Sequence, residues 1–350
     1  MMLASYFHTL DPVIVRLSES LAIKWYGVSY IAGFVAGWFI LFGMARRGRT
    51  PIPPDRAMDV ILALVMGTVV GGRLGYVIFY QPSLLWQFSG TPPWWGVLAI
   101  NQGGMASHGG MIGIVVACWW ISRGFKDERG VRVGSSPFLH VADLAAFIAT
   151  PGLLFGRLAN FVNGELLGRI VSPPGEPGPW WAVKYPQELG TRHAPALSPE
   201  QSARLDVLLD SVAKPGDSAE RALERLLAKV QQGSTELAKE LEPLIAARHP
   251  SQIYQALAEG VLLGLMLVIV WIRPRRPGVV MGAFLLGYGV QRIIIEHFWR
   301  LPDPQLANQY ILGMTRGQLL SVGMLAAGVL VLGVARARRL PPMGGLLPAR

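Results

Sequence analysis

Residues Met58 to Phe79 read MDVILALVMGTVVGGRLGYVIF, with one acid, Asp59, at the start and one base, Arg73, near the end. About 20 mostly apolar residues carry a helix across the hydrocarbon of a bilayer. This stretch therefore reads as a membrane-spanning helix. Gly67, Gly71 and Gly75 recur at every fourth position, a spacing that lets helices approach closely in lipid. Plain helix packing accounts for them. The run Gly71-Gly72-Arg73-Leu74-Gly75 is no dinucleotide fingerprint, because no strand–turn–helix context surrounds it.

Six further stretches follow the same rule: Trp25–Met44, Met105–Ile121, Phe138–Ala159, Ile253–Ile272, Val279–Ile295 and Gln318–Val334. The expected fold is an all-α integral membrane protein with seven transmembrane helices. Composition agrees. Of the 350 residues 51% are hydrophobic and only 15% charged, against roughly 25% charged in soluble domains. The single cysteine, Cys118, excludes a disulfide framework and a cysteine-based zinc site.

The net charge of +10 suggests nucleic acid until the bases are located. Arg46, Arg47, Arg49 and Arg56 follow the first span, and Arg123, Lys126, Arg129 and Arg132 the third. Arg273, Arg275 and Arg276 follow the fifth, and Arg336, Arg338, Arg339 and Arg350 the seventh. Residues 81–104, between spans two and three, hold none. Short loops rich in Lys and Arg stay cytoplasmic. The charge is thus a topology signal, with the N-terminus outside and the C-terminus cytoplasmic, and no nucleic-acid partner is expected. Residues 1–24 lack a basic leader before a short apolar core and read as an external segment at the bilayer surface. Residues 25–160 then hold helices one to four, 161–249 an external head, 250–335 helices five to seven, and 336–350 a cytoplasmic tail. In the head, Leu205, Leu208, Leu209 and Val212, then Leu223, Leu226, Leu227 and Val230, repeat at helical spacing, which predicts two or three amphipathic helices.

Three arginines, Arg73, Arg157 and Arg292, fall inside or at the edge of apolar spans, whereas Arg300 and Arg316 count among the external bases. An arginine near the bilayer centre costs at least about 2.5–3.5 kcal/mol on insertion scales, so such residues face a bundle interior and need partners. With this topology all three lie toward the external side. Tyr26, His108, Asn160, Asn163, Glu165, Gln252 and Glu296 fall at the same level. Arg157 and Asn160 share a helix face, as do Tyr288, Arg292 and Glu296, and Gly168 continues the face of Arg157 if that helix runs on. Each residue also has a plainer reading: Arg73 snorkelling to the interface, Tyr26 as aromatic belt, His108 as a packing histidine. The roles of Asp143 and Glu259 stay open, and Cys118 reads as packing. A guanidinium fork matches phosphate oxygens, so the layer points to an anionic phospholipid head group handled on the external side. A transporter would show internal repeats and polar groups at mid-depth, and neither is evident. A scaffold protein working through its head is the other alternative.

The segment Gly156-Arg157-Leu158-Ala159-Asn160-Phe161-Val162-Asn163-Gly164-Glu165-Leu166-Leu167-Gly168-Arg169 resembles the signature of the prolipoprotein diacylglyceryl transferase family. Further matches follow in the family's order: Trp25-Tyr26-Gly27, Gly71 to Tyr76, Gly103 to Gly110, His249-Pro250-Ser251-Gln252, and Tyr288 to Arg292 with Glu296. They cover about Trp25 to Thr315. Residues 190–247 are longer and more charged than the family leads one to expect. The resemblance implies an enzyme of the bacterial cytoplasmic membrane. It would transfer the diacylglyceryl unit of phosphatidylglycerol to the lipobox cysteine of a prelipoprotein signal peptide, forming a thioether and releasing glycerol phosphate. It implies no cofactor and no metal. His108, Arg157, Arg292, Tyr26 and Asn160 would be catalytic. Arg73, Asn163, Glu165, Gly168, Gln252, Tyr288 and Glu296 would bind substrate.

Overall fold

A computed structural model of the chain describes residues 5–17, 22–100, 103–302, 310–311 and 313–348, with Ser107 by its backbone only. Parts of the expected N-terminal segment (1–4 and 18–21) and the terminal Arg350 lie outside these residues. Six helices are long and apolar enough to cross a membrane: α1 (Trp25–Arg46), α2 (Ala57–Phe79), α4 (Phe138–Asn163), α8 (Ser251–Val270), α9 (Val279–Phe298) and α10 (Arg316–Arg338). The chain is a multi-pass membrane protein.

The seventh expected span is shorter than Met105–Ile121 suggested. Helix α3 covers Ser107–Ser122, about 24 Å at 1.5 Å per residue. The cause is upstream. Gly103 and Gly104 take φ of 84° and 80°, a left-handed conformation that no helix continues and that glycine adopts without steric cost. Helix α8 departs from regularity in another way, because Ala256–Leu262 form a π-helical stretch. Such bulges recur at functional sites.

The chain divides into two compact units. One comprises residues 34–149, 264–285 and 327–350. Its core joins Leu41, Ile61, Cys118, Leu144 and Leu267 from five helices with Trp271, the residue that follows α8. Helices α2 and α3 touch through glycines: a Cβ on Gly71 would lie 2.9 Å from the Gly113 Cα, and one on Gly75 2.7 Å from the Gly109 Cα. The glycine spacing is thus used for packing. The buried carboxylate of Asp143 accepts from the N–H groups of Gly278 and Met281, both at 2.7 Å. It caps the N-terminus of α9, where a negative charge is favoured, so its role is structural.

The other unit comprises residues 1–33, 150–263 and 286–326. It carries the segment between α4 and α8, with helices α5 (Pro199–Val212), α6 (Ala219–Gln231) and α7 (Thr235–Leu241). Ser198 and Ser218 cap the first two. Leu208, Leu226, Leu241, Leu244 and Ile245 form their core, each burial contributing about 1.5–3 kcal/mol in water. A small sheet joins these helices. Its spatial order is β1 (Tyr6–Phe7), β3 (Val183–Lys184), β4 (Ala247–Arg248), β2 (Ile170–Ser172), numbered along the chain, with β1 parallel to β3 and the other pairs antiparallel. The first strand therefore belongs to the head. Buried His8 fixes it there by donating from Nε2 to the Phe161 carbonyl at 2.7 Å. Residues Val13–Arg16 and Ala22–Lys24 pair antiparallel and expose Ile14, Val15 and Ile23.

Candidate active site

Helix α4 brings Arg157, Asn160 and Asn163 along its last turns, and α9 brings Tyr288, Arg292 and Glu296 at four-residue intervals. Between them α8 places Glu259, which is 0% exposed. Arg157 donates from Nε to Glu259 Oε2 at 2.9 Å, and its Nη2 lies 2.8 Å from the same oxygen. The Nη1 of Arg292 lies 3.6 Å from Glu259 Oε1, and its Nε lies 3.2 Å from Glu296 Oε2. Arg157 Nη2 also donates to the Tyr288 hydroxyl at 3.4 Å. One carboxylate thus gathers guanidiniums from two helices. In a medium of low dielectric these contacts are far stronger than in water.

The second glutamate is held from α10. Thr315 Oγ1 donates to Glu296 Oε1 at 2.6 Å. Thr315 and Gln318 bond reciprocally, N–H to side chain, at 3.0 and 3.1 Å, which makes a capping arrangement at the helix start. Gly317 is required there, since a Cβ would strike the Glu296 carboxylate.

On the α1 side, Asn160 Nδ2 donates to the Tyr26 hydroxyl at 2.6 Å and to Glu165 Oε2 at 3.2 Å, while Asn163 donates to Glu165 Oε1 at 3.3 Å. Buried Gln252 pins this turn. It donates to the Glu165 carbonyl and accepts from the Tyr185 hydroxyl at 3.0 Å. Gly168 forms a backbone bridge with Arg300, and a Cβ on it would run into the His249 carbonyl.

Nine of the twelve residues anticipated at the site therefore interact within this unit by hydrogen bonds and ion pairs: Tyr26, Arg157, Asn160, Asn163, Glu165, Gln252, Tyr288, Arg292 and Glu296. Gly168 contributes backbone. Arg73 and His108 belong to the other unit. Arg73 is buried and donates to four carbonyls: Val97 from Nε (2.8 Å), Gly103 and Gly104 from Nη1 (2.6 and 3.0 Å), and Gly96 from Nη2 (2.6 Å). It organises the loop between α2 and α3, and one of its five N–H groups remains. His108 opens α3, half-buried, with no hydrogen bond to its ring among the described residues.

Three site residues escaped the sequence reading. Glu259 stood out only as an intramembrane acid, which is itself a signal for function. Arg300, counted above as an external base, is 5% exposed. It lies four residues after Glu296 and continues the interval that links Tyr288, Arg292 and Glu296, so spacing alone could have found it. Burial, then repulsion from Arg292 and Arg157, pull its pKa below the ordinary arginine range. Gln255, four residues before Glu259, turns its amide oxygen to Arg292 Nη1 (2.7 Å) and Arg300 Nη1 (3.2 Å) in the amide orientation that puts an acceptor before these two donors. Among the described residues no group of three metal-ligating side chains is present.

Three guanidiniums converge here, two of them, Arg157 and Arg292, ion-paired to Glu259 and Glu296 while Arg300 has no ion pair among the described residues, and Glu165 bonds to amides beside them; guanidiniums gathered in this way suit an anionic ligand. Comparison with known proteins agrees. The family model described as prolipoprotein diacylglyceryl transferase matches residues 12–334. The chain is similar to the phosphatidylglycerol–prolipoprotein diacylglyceryl transferase of Bdellovibrio bacteriovorus, at 38% identity over 93% of this chain and 92% of the relative. It is similar at 35% identity to the enzyme of the same name from Rhodospirillum rubrum, over 99% of this chain and all of the relative. Another, from Ruegeria pomeroyi, is also 35% identical, over 96% and 98% of the two chains. With a matching motif on nearly every element of the arginine cluster and full-length relatives at this level, the chain belongs to the prolipoprotein diacylglyceryl transferase family.

Proposed function

We propose that the arginine cluster grips the phosphate of phosphatidylglycerol while the lipid's diacylglyceryl unit passes to the lipobox cysteine of a prelipoprotein. Family membership makes the chain a diacylglyceryl transferase from phosphatidylglycerol to prolipoproteins. The observation that carries the site assignment is the meeting of Arg157 and Arg292 on Glu259.

The thiolate sulfur attacks the glycerol carbon of the diacylglyceryl unit that bears the phosphate oxygen. A C–S bond forms and that C–O bond breaks, so the phosphate leaves with all its oxygens. Thiolate and diester each enter with one negative charge. The products are a neutral thioether and a phosphate monoester carrying both charges. Charge therefore grows on the phosphate, and cations fixed in advance around it stabilise the transition state more than the ground state. Arg157 and Arg292 are positioned for that task, and Glu259 and Glu296 keep them aimed. A free thiol titrates near about 8.5, so a base must take its proton. Histidine, which titrates near neutrality, suits that task, and His108 is the residue assigned to it. Asn160 and Tyr26 orient the head group or the peptide backbone, with Asn163, Glu165, Gln252 and Tyr288 around them. The enzyme itself needs no nucleophile, consistent with Cys118 buried in the other unit's core.

The bacterial relatives support a cytoplasmic-membrane location, and the positive-inside pattern supports seven passes with the N-terminus outside and the head and active site on the external side. The test is direct. Purified protein in phosphatidylglycerol vesicles with a lipobox peptide should yield a peptide heavier by one diacylglyceryl unit and an equal amount of glycerol phosphate. Unmodified peptide under these conditions would refute the assignment.

A further inference from the structure

Three residues that line one cavity each carry a buried side-chain atom with no hydrogen-bond partner among the described residues: Arg300 at Nε, Asn163 at Oδ1 and Gln187 at Oε1. The cavity measures about 300 Å³ and is also lined by Glu165, Thr191 and His193. A buried donor or acceptor without a partner is costly, and a charged one most of all.

Each of the three is forced by its neighbours. Asn163 spends its Nδ2 on a carboxylate, Glu165 Oε1, so its oxygen must face away. His8 donates from Nε2 to the Phe161 carbonyl at 2.7 Å, which leaves Nδ1 as an acceptor. The Gln187 Nε2 fills that acceptor at 3.2 Å, so the Gln187 oxygen is again the free end. Gly164, at φ 66°, permits this approach, since a Cβ there would lie 2.5 Å from the Gln187 amide carbon. Arg300 cannot withdraw. The backbone on either side is tied down by Arg169 N–H donating to the Trp299 carbonyl (2.8 Å) and Leu301 N–H donating to the Leu167 carbonyl (3.2 Å). Among the described residues no carboxylate lies within ion-pair distance of it, in contrast to Arg157 and Arg292.

The cavity therefore asks for an anionic acceptor at Arg300 and hydroxyl donors at the two amide oxygens. A phosphoglycerol group offers a phosphate and two hydroxyls. It has about ten heavy atoms, which fits a cavity at the small end of ligand sites, where a diacyl lipid would not. We propose that this pocket binds free glycerol phosphate, the leaving group of the transfer, at a station separate from the Arg157–Arg292 pair. The two sites are linked, because Arg292 and Arg300 share the Gln255 oxygen. The inference rests on the transfer reading given above.

The test uses the full-length protein in detergent, with glycerol phosphate, inorganic phosphate and a short-chain phosphatidylglycerol titrated by calorimetry. Saturable binding of glycerol phosphate is expected, at least tenfold tighter than inorganic phosphate. Arg300→Gln should weaken it at least tenfold, and Arg157→Gln by less than threefold. No saturable binding to the wild type would overturn the proposal. So would loss of binding in Arg157→Gln with Arg300→Gln unaffected, since that puts the anion on the clamp. Short-chain phosphatidylglycerol depending on Arg300 as strongly as glycerol phosphate does would overturn it in favour of a lipid head-group subsite. Should Arg300→Gln fail to fold, Gln187→Leu carries the test, with at least threefold weaker glycerol phosphate binding and unchanged inorganic phosphate binding. Unchanged binding of both would overturn the assignment. The transfer assay fails or succeeds independently of these titrations.

Discussion

Arg73 and Arg157 look alike in the sequence, each a lone base in an apolar helix, yet the structure satisfies them in opposite ways. Arg73 is ringed by four backbone carbonyls from its own loop. Arg157 faces a carboxylate from another helix, and that carboxylate also reaches Arg292. Carbonyls use up N–H groups and leave the charge in place, fastening a loop. A shared carboxylate balances charge and holds two guanidiniums side by side, as a phosphate would need them. Under the proposed function, the type of partner, more than burial, separates an arginine that fastens a loop from one that grips phosphate.

The largest expected effect tests that separation. Arg157→Gln and Arg292→Gln should each lower phosphatidylglycerol-dependent turnover by about 10²–10³, the usual cost of one charge-stabilising donor, with membrane insertion unchanged. Arg73→Gln should act chiefly on stability, lowering the thermal transition and exposing the loop between α2 and α3 to protease, with a turnover loss at least tenfold smaller. Equal turnover losses in all three would erase the distinction.

Glu259 sharpens it further. Removing one partner of a buried ion pair costs about 3–5 kcal/mol, because the other charge is left uncompensated. Glu259→Gln should therefore lower the melting temperature of the detergent-solubilised protein by several degrees. Added phosphatidylglycerol should restore more stability to this variant than to wild type, since its phosphate supplies the missing negative charge. If the lipid shifted both proteins equally, the view of Glu259 as the phosphate's counterpart would be lost.

Legibility in the sequence follows the same line between local and distant causes. Helix α2 was readable almost to the residue, Met58–Phe79 against Ala57–Phe79, because an apolar run carries its own reason to be helical in lipid. So was α9, expected at Val279–Ile295 and found at Val279–Phe298. The cluster was readable where polar residues sat four apart on one helix, as in Tyr288, Arg292 and Glu296. It was not readable where the cause lay elsewhere in the chain. The π-helical stretch that carries Glu259 has no local pattern. The attachment of Tyr6–Phe7 to a strand near residue 183 depends on a pairing that no spacing announces. Arg300 fell to a simple prior, since a base just past a span is usually at the interface.

A smaller effect is expected at Gly164, where the signature loop turns. Its φ of 66° and the nearby Gln187 side chain both resist a Cβ. Gly164→Ala should cost about 1–3 kcal/mol, as strained backbone positions do, measured as a drop in thermal stability. Glycerol phosphate binding should fall with it, because Gln187 must move. An unchanged melting temperature would mean that the turn relaxes freely.

The smallest effect lies in the head, in an ion pair whose arginine, 39% exposed, faces water while its aspartate is 8% exposed. Asp217 accepts from Arg225 Nε at 2.7 Å and from the Lys214 N–H at 2.9 Å. The hydrogen bond from Arg225 leads in holding its pKa below the ordinary carboxylate value. Because the folded pKa is the lower one, the stabilisation is present above the unfolded pKa of about 3.9 and is lost as pH falls through the depressed folded value. Asp217→Asn should therefore melt slightly below wild type at pH 7, and the gap should close in acid. Salt should narrow the gap as well, since ions reach the solvent-facing Arg225 and screen the pair, whereas the Glu259→Gln deficit should persist in high salt. A salt-sensitive deficit at Glu259 would place that carboxylate in contact with water and remove the dry setting on which its pairing with Arg157 and Arg292 depends.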